Sequence, residues 1–248
     1  MEKEASTPSA AFITMTYLPG RILAKRAASR TVTLLDLSIP HLDYQPGQWL
    51  DFTIPSASWI GGFSIASGPD HDEVIQIAVK ESNHPPARWV TNESKTGDEI
   101  LVKVGGTCVL SPRGAGARAV FVAGGIGISP MLGLYRHHVA EQRPPVEFFY
   151  STSTQDELVF FHDLTQLLRP DDALTLTLTQ SSGWTSPGSE SNIHYQLGRG
   201  MTHFLTSTKR KDDVIYYICG PPGMQDEAIS TLQQHGVSED GLVYEKWW

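Results

Sequence analysis

The sequence predicts a two-domain protein, with an N-terminal antiparallel β-barrel followed by a C-terminal α/β domain built on a parallel sheet. Three observations predict this division. Short β-rich runs separated by turns fill the first half, strands alternate with helical stretches in the second half, and a glycine-rich segment at 111–117 separates them. Regularly broken short strands are typical of small barrels, and strand–helix alternation builds a helix-covered parallel sheet. We therefore assign residues 11–112 to the barrel and 117–248 to the α/β domain.

Length and composition exclude several classes of protein. The 248 residues suit two modest domains, and the net charge of −8 argues against nucleic-acid binding, which needs a basic face. Two cysteines imply no disulfide framework. Residues 1–10 lack the apolar segment of a secretory signal and carry two early glutamates, unlike a transit peptide. We expect a disordered leader and an intracellular protein, cytoplasmic rather than mitochondrial.

Metal centres and membrane spans are also not expected. No His-Glu-x-x-His or Cys-x-x-Cys motif provides the ligand spacing of a metal site. No apolar run approaches the roughly 18 residues that cross a bilayer.

The barrel half shows six β-rich runs with turn signals between them. Turns are indicated at Pro46-Gly47, Gly68-Pro69 and Gly97-Asp98. Residues 84–95 are the exception and predict a short helix that begins at Pro85, because proline is tolerated in a first helical turn. The expected strands are 20–28, 31–37, 48–54, 62–66, 74–80 and 99–104.

The second half alternates four strands with four helices. Ligands of such sheets bind at the carboxyl ends of the strands, where the strand order reverses. The expected strands are 119–123, 146–150, 174–178 and 214–218. The expected helices are 130–141, 155–168, 193–205 and 222–235.

A glycine-rich motif follows the first strand of the second half. Gly124, Gly125 and Gly127 allow the backbone to turn and to approach a ligand without Cβ clashes. Ser129 predicts an N-cap, and Pro130 fits the first helical turn. A helix that begins behind such a turn favours binding of a phosphate. A tight turn without a ligand is the alternative.

A second motif, Cys219-Gly220-Pro221-Pro222, follows the last expected strand. Gly220 and Pro221 break the strand, and Pro222 can open the next helix. At the carboxyl end of a strand, Cys219 would face the ligand cleft. The alternative is a small buried side chain, the common fate of a free cysteine.

The two motifs resemble the ferredoxin–NADP reductase superfamily, which pairs a flavin-binding barrel with a nicotinamide-binding α/β domain. Segments 61–67, 83–89 and 244–248 are similar to its subgroup of oxidoreductase NAD-binding-domain-containing proteins. The resemblance implies an FAD-binding barrel and a nicotinamide dinucleotide held by both motifs. The implied dinucleotide contacts are Gly124, Gly125, Ile126, Gly127, Ser129, Pro130, Gly220, Pro221, Pro222 and Met224.

The flavin motif of the family, Arg-x-Tyr-Ser, falls on Gly61 to Ser64 and differs from it. Gly61 cannot supply the arginine that pairs with the flavin pyrophosphate. Phe63 keeps the aromatic ring, and Ser64 keeps the hydroxyl that hydrogen-bonds the flavin. The phosphate-binding Gly-x-x-Ser falls on 84–87, where two prolines remove two backbone donors. The implied FAD contacts are Phe63, Ser64, Ile65 and Trp248.

The resemblance further implies a reacting centre around Ser64, Cys219 and Glu245, with Glu245 relaying a proton. The two terminal tryptophans would stack on the flavin or anchor the tail. Segments 151–155 and 180–184 contain no lysine or arginine to bind a 2′-phosphate, so NAD(H) is favoured over NADP(H).

The expected function is a flavin-dependent oxidoreductase. It would transfer hydride or electrons between NAD(P)H and a flavin, and then to an unknown electron acceptor. The alternative is an NAD(H)-binding module with a degenerate flavin site and a regulatory role.

Overall fold

The computed structural model describes residues 17–54, 60–68, 74–112, 116–180, 192–199 and 214–246. The expected leader and Trp248 lie outside these ranges. Within them, no helix is both long and apolar enough to cross a membrane.

The first sheet is an antiparallel barrel of six strands in the order β4-β3-β6-β1-β2-β5. Ile65, directly after β4, bridges Ile77 in β5, so the two edge strands meet and the sheet closes. A short helix and one π-helical turn cover one end, and Ala87 and Val90 enter the barrel core there. The strands are β1 Leu18–Ala27, β2 Val32–Ser38, β3 Trp49–Thr53, β4 Ile60–Ser64, β5 Val74–Lys80 and β6 Glu99–Gly105. The covering helix is α1 Pro85–Arg88, followed by the turn Trp89–Glu93.

The second sheet is parallel, with the strand order β10-β9-β8-β7-β11-β12. Helices cover its faces, which explains why its central strands are apolar along most of their length. The strands are β7 Arg118–Gly124, β8 Glu147–Thr152, β9 Ala173–Leu178, β10 Ile193–Leu197, β11 Val214–Cys219 and β12 Leu242–Tyr244. The helices are α2 Ile128–Ala140, α3 Phe161–Leu167 and α4 Pro222–Gln234, with single 3₁₀ turns at Gly125–Gly127, Gln155–Glu157 and Glu239–Gly241.

The strand order of this sheet reverses between β7 and β11. From β7 the chain continues to β8 and β9 on one side, and it returns to β11 on the other. Cys219 at the end of β11 pairs with Ala123 near the end of β7. The two sequence motifs therefore leave the sheet side by side, as expected for a ligand-binding switch point.

The helix expected at 193–205 is wrong over its first five residues. Ile193–Leu197 forms β10, parallel to β9, and Gly198 follows with a φ of +96°. Apolar residues at 193, 195 and 197 alternate with polar ones, which is the two-residue period of a strand. Residues 200–205 lie outside the described ranges. The helix expected at 155–168 is also divided, because Phe160 adopts a left-handed φ of 59° before α3.

The two sheets are joined through a shared apolar cluster. Val32, Leu34 and Ala66 of the barrel pack in the same buried cluster as the apolar side chains around β7 and α2. Arg136 on α2 donates to the Ala66 carbonyl at 2.8 Å and pairs with Asp163 at 2.9 Å. This interface fixes the barrel against the carboxyl edge of the second sheet.

Candidate active site between the two sheets

A cavity of about 350 Å³ lies where the barrel faces the carboxyl ends of β7 and β11. This volume is at the lower end of the range for small-molecule sites, roughly 300–1,000 Å³. The barrel wall contains residues 62–64, 78, 80–82, 84 and 87, and the opposite wall contains residues 124–127, 129 and 219–222. The structure thus brings Phe63 and Ser64 opposite both glycine-containing motifs.

Some predicted site residues do not line this cavity. Ile65 is completely buried in the barrel core. Pro130 is buried in the first turn of α2. Met224 packs beneath the second motif, and Glu245 lies outside the cavity wall. The structure therefore places these four side chains around the cavity and not on its wall.

The glycines of the two motifs allow the motifs to pack against each other. A Cβ placed on Gly127 would lie 2.2 Å from the carbonyl oxygen of Cys219, and one on Gly124 would lie 2.3 Å from the sulfur of Met224. A Cβ on Gly220 would approach the Gly124 Cα to 3.0 Å. Because main-chain atoms of Cys219 block Gly127, and Pro221 Cδ would lie 2.8 Å from a Cβ on Gly124, close contact between the two loops requires glycine at these two positions.

Gly125 differs from its neighbours. Its φ is +52°, and a Cβ placed on it would meet no atom within 4 Å. Gly125 lines the cavity, so this open space belongs to the cavity itself. Of the three glycines in the first motif, Gly125 is therefore the one that leaves room for a ligand.

Ser129 lines the cavity with an unsatisfied hydroxyl. It is 1% exposed, and its Oγ has no hydrogen-bond partner among the described residues. The prediction that Ser129 caps the helix is wrong. The 3₁₀ turn Gly125–Gly127 continues directly into α2, which moves the N-cap position to Gly127. A buried hydroxyl without a protein partner is uncommon and indicates a ligand or water at this position.

Cys219 belongs both to the buried core and to the cavity wall. It is 5% exposed, and it lies in the apolar cluster that the two sheets share. Burial, with a smaller effect of nearby Glu245, raises the pKa of its thiol to about 12. The thiol is therefore protonated at neutral pH, so Cys219 can pack against a ligand but cannot act as a thiolate nucleophile.

Glu245 connects the C-terminal segment to the barrel. Its Oε1 accepts a hydrogen bond from Trp49 Nε1 at 2.9 Å. Burial raises the pKa of the carboxyl group, while the bonds from Trp49 and from the Thr107 backbone oppose this shift. Glu245 lies near Cys219 and is not among the residues that line the cavity.

A residue that the sequence reasoning missed, Gln225, holds the second motif in place. It is completely buried, and its Nε2 donates to the Gly220 carbonyl at 2.7 Å. Gln225 lies on the buried face of α4 together with Ala228, Ile229 and Leu232. The sequence signal that could have identified Gln225 is a glutamine at a position where the helical repeat is otherwise apolar.

The barrel wall fits one half of a flavin and not the other. Phe63 and Ser64 line the cavity, where a planar ring would have an aromatic neighbour and a hydroxyl donor. At Gly61, where the family has an arginine, a Cβ would lie 2.7 Å from the Cβ of Pro86. The structure thus places an aromatic ring and a hydroxyl on the cavity wall, and Pro86 fills the space beside Gly61.

Comparison with known proteins places the chain in a family. Residues 121–229 match the model of the oxidoreductase NAD-binding domain. The human oxidoreductase NAD-binding domain-containing protein 1 is 32% identical over 92% of this chain and 79% of its own length. The Danio rerio protein of the same name is 32% identical over 94% of this chain and 93% of its own length. The chain belongs to this family.

Solved structures show the same two-domain architecture as this member of the oxidoreductase NAD-binding domain-containing protein 1 family. A ferredoxin NADP⁺ reductase from Neisseria gonorrhoeae, with bound FAD and NADP, has a TM-score of 0.78 at 18% identity, over 92% of this chain and 98% of its own. At this low sequence identity, the structural similarity establishes the fold alone. The expected fold class, a barrel followed by a ferredoxin reductase-like NAD-binding domain, is confirmed.

Proposed function

We propose that this protein is an NAD(H)-dependent oxidoreductase in which hydride passes between the nicotinamide and a flavin ring, and then to a separate acceptor. The observation that carries the proposal is the shared cavity. Both nicotinamide motifs form one wall, and Phe63 and Ser64 of the flavin motif form the other. Two ring systems bound there would lie in one enclosed space.

The dinucleotide would be held by backbone and by one buried hydroxyl. A pyrophosphate beside Gly125 would lie at the amino end of α2, where the helix dipole and backbone amides favour an anion. Ser129 would donate its unpaired hydroxyl to the ligand. These contacts use main-chain groups that the loop-to-loop packing holds in position.

At the reacting centre the protein would supply alignment. Hydride transfer needs the reacting atoms held at roughly 3–3.5 Å, and a flavin provides the redox chemistry itself. Ser64 would hydrogen-bond the ring, and the protonated Cys219 would pack against the nicotinamide. Glu245 would position the C-terminal segment through its bond to Trp49.

The absence of cations after β8 supports a preference for NADH over NADPH. Residues 151–155 follow the second strand of the parallel sheet and contain neither lysine nor arginine. An unpaired 2′-phosphate in such a place would be disfavoured. We expect NADH to bind at least about tenfold more tightly than NADPH, a difference of about 1.4 kcal/mol.

A second candidate function is an NAD(H)-binding module without redox activity. The contact between Gly61 and Pro86 favours the binding module. The phosphate-binding arginine of the ferredoxin–NADP reductase superfamily is here a glycine that packs under Pro86. The two candidates differ in whether a flavin is reduced.

Anaerobic titration separates them. NADH is added to the purified protein with FAD, and both NADH binding and loss of the oxidised flavin band are recorded. Bleaching supports the oxidoreductase, whereas NADH binding without bleaching supports the binding module. Ser129→Ala should weaken NADH binding by about fivefold, as for one lost hydrogen bond. Ser230→Ala, on the exposed side of α4, is the matched control and should leave NADH binding unchanged. Failure to bind NADH at all contradicts both candidates.

A further inference from the structure

Pro86 occupies the space over β4 on the side where a flavin phosphate would be bound. Gly61 is buried, and its hypothetical Cβ lies 2.7 Å and 3.1 Å from the Cβ and Cγ of Pro86. No side chain longer than hydrogen fits at this position without moving the proline. At this position apolar packing against Pro86 therefore stands where a longer side chain could have contacted a phosphate.

The beginning of α1 offers no replacement for that contact. His84 occupies the N-cap position without a side-chain capping bond, and Pro85 and Pro86 are the first two helical residues. Proline has no N–H, so two of the donors that could face a phosphate are missing. The helical segment that continues to Glu93 therefore begins without these two donors.

The charged side chains around the cavity carry no net positive charge either. Among the described residues of its wall, Lys80 is followed directly by Glu81, so the two charges oppose each other. Arg88 lies in the last turn of α1, is exposed, and does not line the cavity. A phosphate on this side would be bound mainly by water.

The half of the site that would hold a ring is retained. Phe63 is fixed by an edge-to-face contact with Phe52, with ring centroids 5.7 Å apart. Ser64 lines the same cavity beside Phe63. Contacts of this kind recognise a flavin through its ring system alone.

We propose that the protein binds flavins through the ring and leaves the phosphate in solvent, so that riboflavin, FMN and FAD are equivalent, exchangeable substrates. The proposal rests on the proposed NADH-dependent function, and it makes free flavin the hydride acceptor. NADH transfers a hydride from C4 to the flavin N5, and a proton from solvent reaches N1. The products are NAD⁺ and the dihydroflavin, which then diffuses away with the two electrons.

A comparison of the three flavins as substrates tests the proposal. NADH oxidation by the full chain is measured anaerobically with riboflavin, FMN and FAD. We expect KM values that agree within about threefold, because no phosphate contact distinguishes the three, and a protein that elutes from gel filtration without flavin. FAD binding more than about thirtyfold tighter than riboflavin, or FAD that copurifies, overturns the proposal while the oxidoreductase function stands. Binding of NADH without reduction of any flavin overturns both.

A variant pair tests the assigned position. Gly61→Arg combined with Pro86→Gly removes both covering side-chain atoms, Cβ and Cγ, and supplies a cation. FAD should then bind at least about tenfold more tightly than riboflavin does, as expected for one charge-assisted contact. Pro86→Gly alone, which restores one backbone donor and adds no charge, is the control and should change the FAD-to-riboflavin ratio clearly less than the double variant does. A ratio that stays near one in the folded double variant would overturn the assignment of the phosphate position to the Gly61–Pro86 contact. If that variant does not fold, the wild-type comparison still decides.

Discussion

Gly127 and Gly61 lie on opposite sides of one site, and in each case another part of the protein occupies the space of the missing side chain. At Gly127 the neighbour is the backbone of Cys219, 2.2 Å from a hypothetical Cβ, and the contact brings together two loops that form the cavity wall. At Gly61 the neighbour is the side chain of Pro86, and the contact covers the strand. On one side glycine lets two loops pack together into a cavity wall, and on the other it lets a proline cover the strand.

The largest effect is expected from Gly127→Val. Its side chain would collide with the main chain of Cys219 and Gly220, which cannot rotate away. We expect the free energy of unfolding to fall by about 3 kcal/mol, the upper range for overpacking, and NADH binding to be lost. Urea unfolding and NADH titration measure the two effects.

Gly223→Ala is the matched control for this change. A Cβ on Gly223 meets nothing within 4 Å, and the residue lies in the first turn of α4 next to the second motif. We expect it to alter the free energy of unfolding by less than about 0.5 kcal/mol. If Gly127→Val were as stable as this control and merely bound NADH weakly, Gly127 would face the ligand rather than Cys219.

Gly125→Ala should have a smaller effect on stability and a selective effect on binding. The left-handed backbone at this position costs alanine about 1 kcal/mol, and the new methyl group projects into the cavity. We expect the Kd for NADH to rise about tenfold. Gly125→Asn separates the causes, since asparagine tolerates this backbone but still fills the space.

Unchanged NADH affinity in both Gly125 variants would mean that the dinucleotide does not approach the first motif. Weaker binding by Gly125→Ala with normal binding by Gly125→Asn would assign the effect to backbone strain. Comparison with Gly127→Val then distinguishes the glycine that faces the ligand from the glycine that joins the loops.

Local sequence pattern was enough to predict the six barrel strands and the central strands β7, β8, β9 and β11, but not the outer strands β10 and β12, nor what fills the space at each glycine. The apolar runs before Gly124 and Gly220 indicated strands that end at a ligand site, and the two motifs do meet there. The contacts of Gly61 with Pro86 and of Gly127 with Cys219 join residues distant in sequence, so a local pattern carries no signal for them. Ser129 was predicted as the N-cap of α2 but lies in its first turn, because the 3₁₀ turn before the helix moves the N-cap to Gly127.

The smallest predicted effect concerns Cys219, whose burial depends on the loop contact at Gly127. The ordinary thiol pKa of 9.0 is raised to about 12 in the folded protein. The unfolded chain therefore releases this proton first, so the contribution of the thiol to stability is present below pH 9 and is lost as the pH rises toward 12. Relative to Cys219→Ala, the wild type should lose about 1 kcal/mol between pH 9 and 10. Urea unfolding of both proteins across this range measures the difference. The titration of the tyrosines and of Cys108 affects both proteins alike, so their contributions largely cancel. Parallel curves for the two proteins would show that the thiol is solvated and that the two loops are not packed together as described.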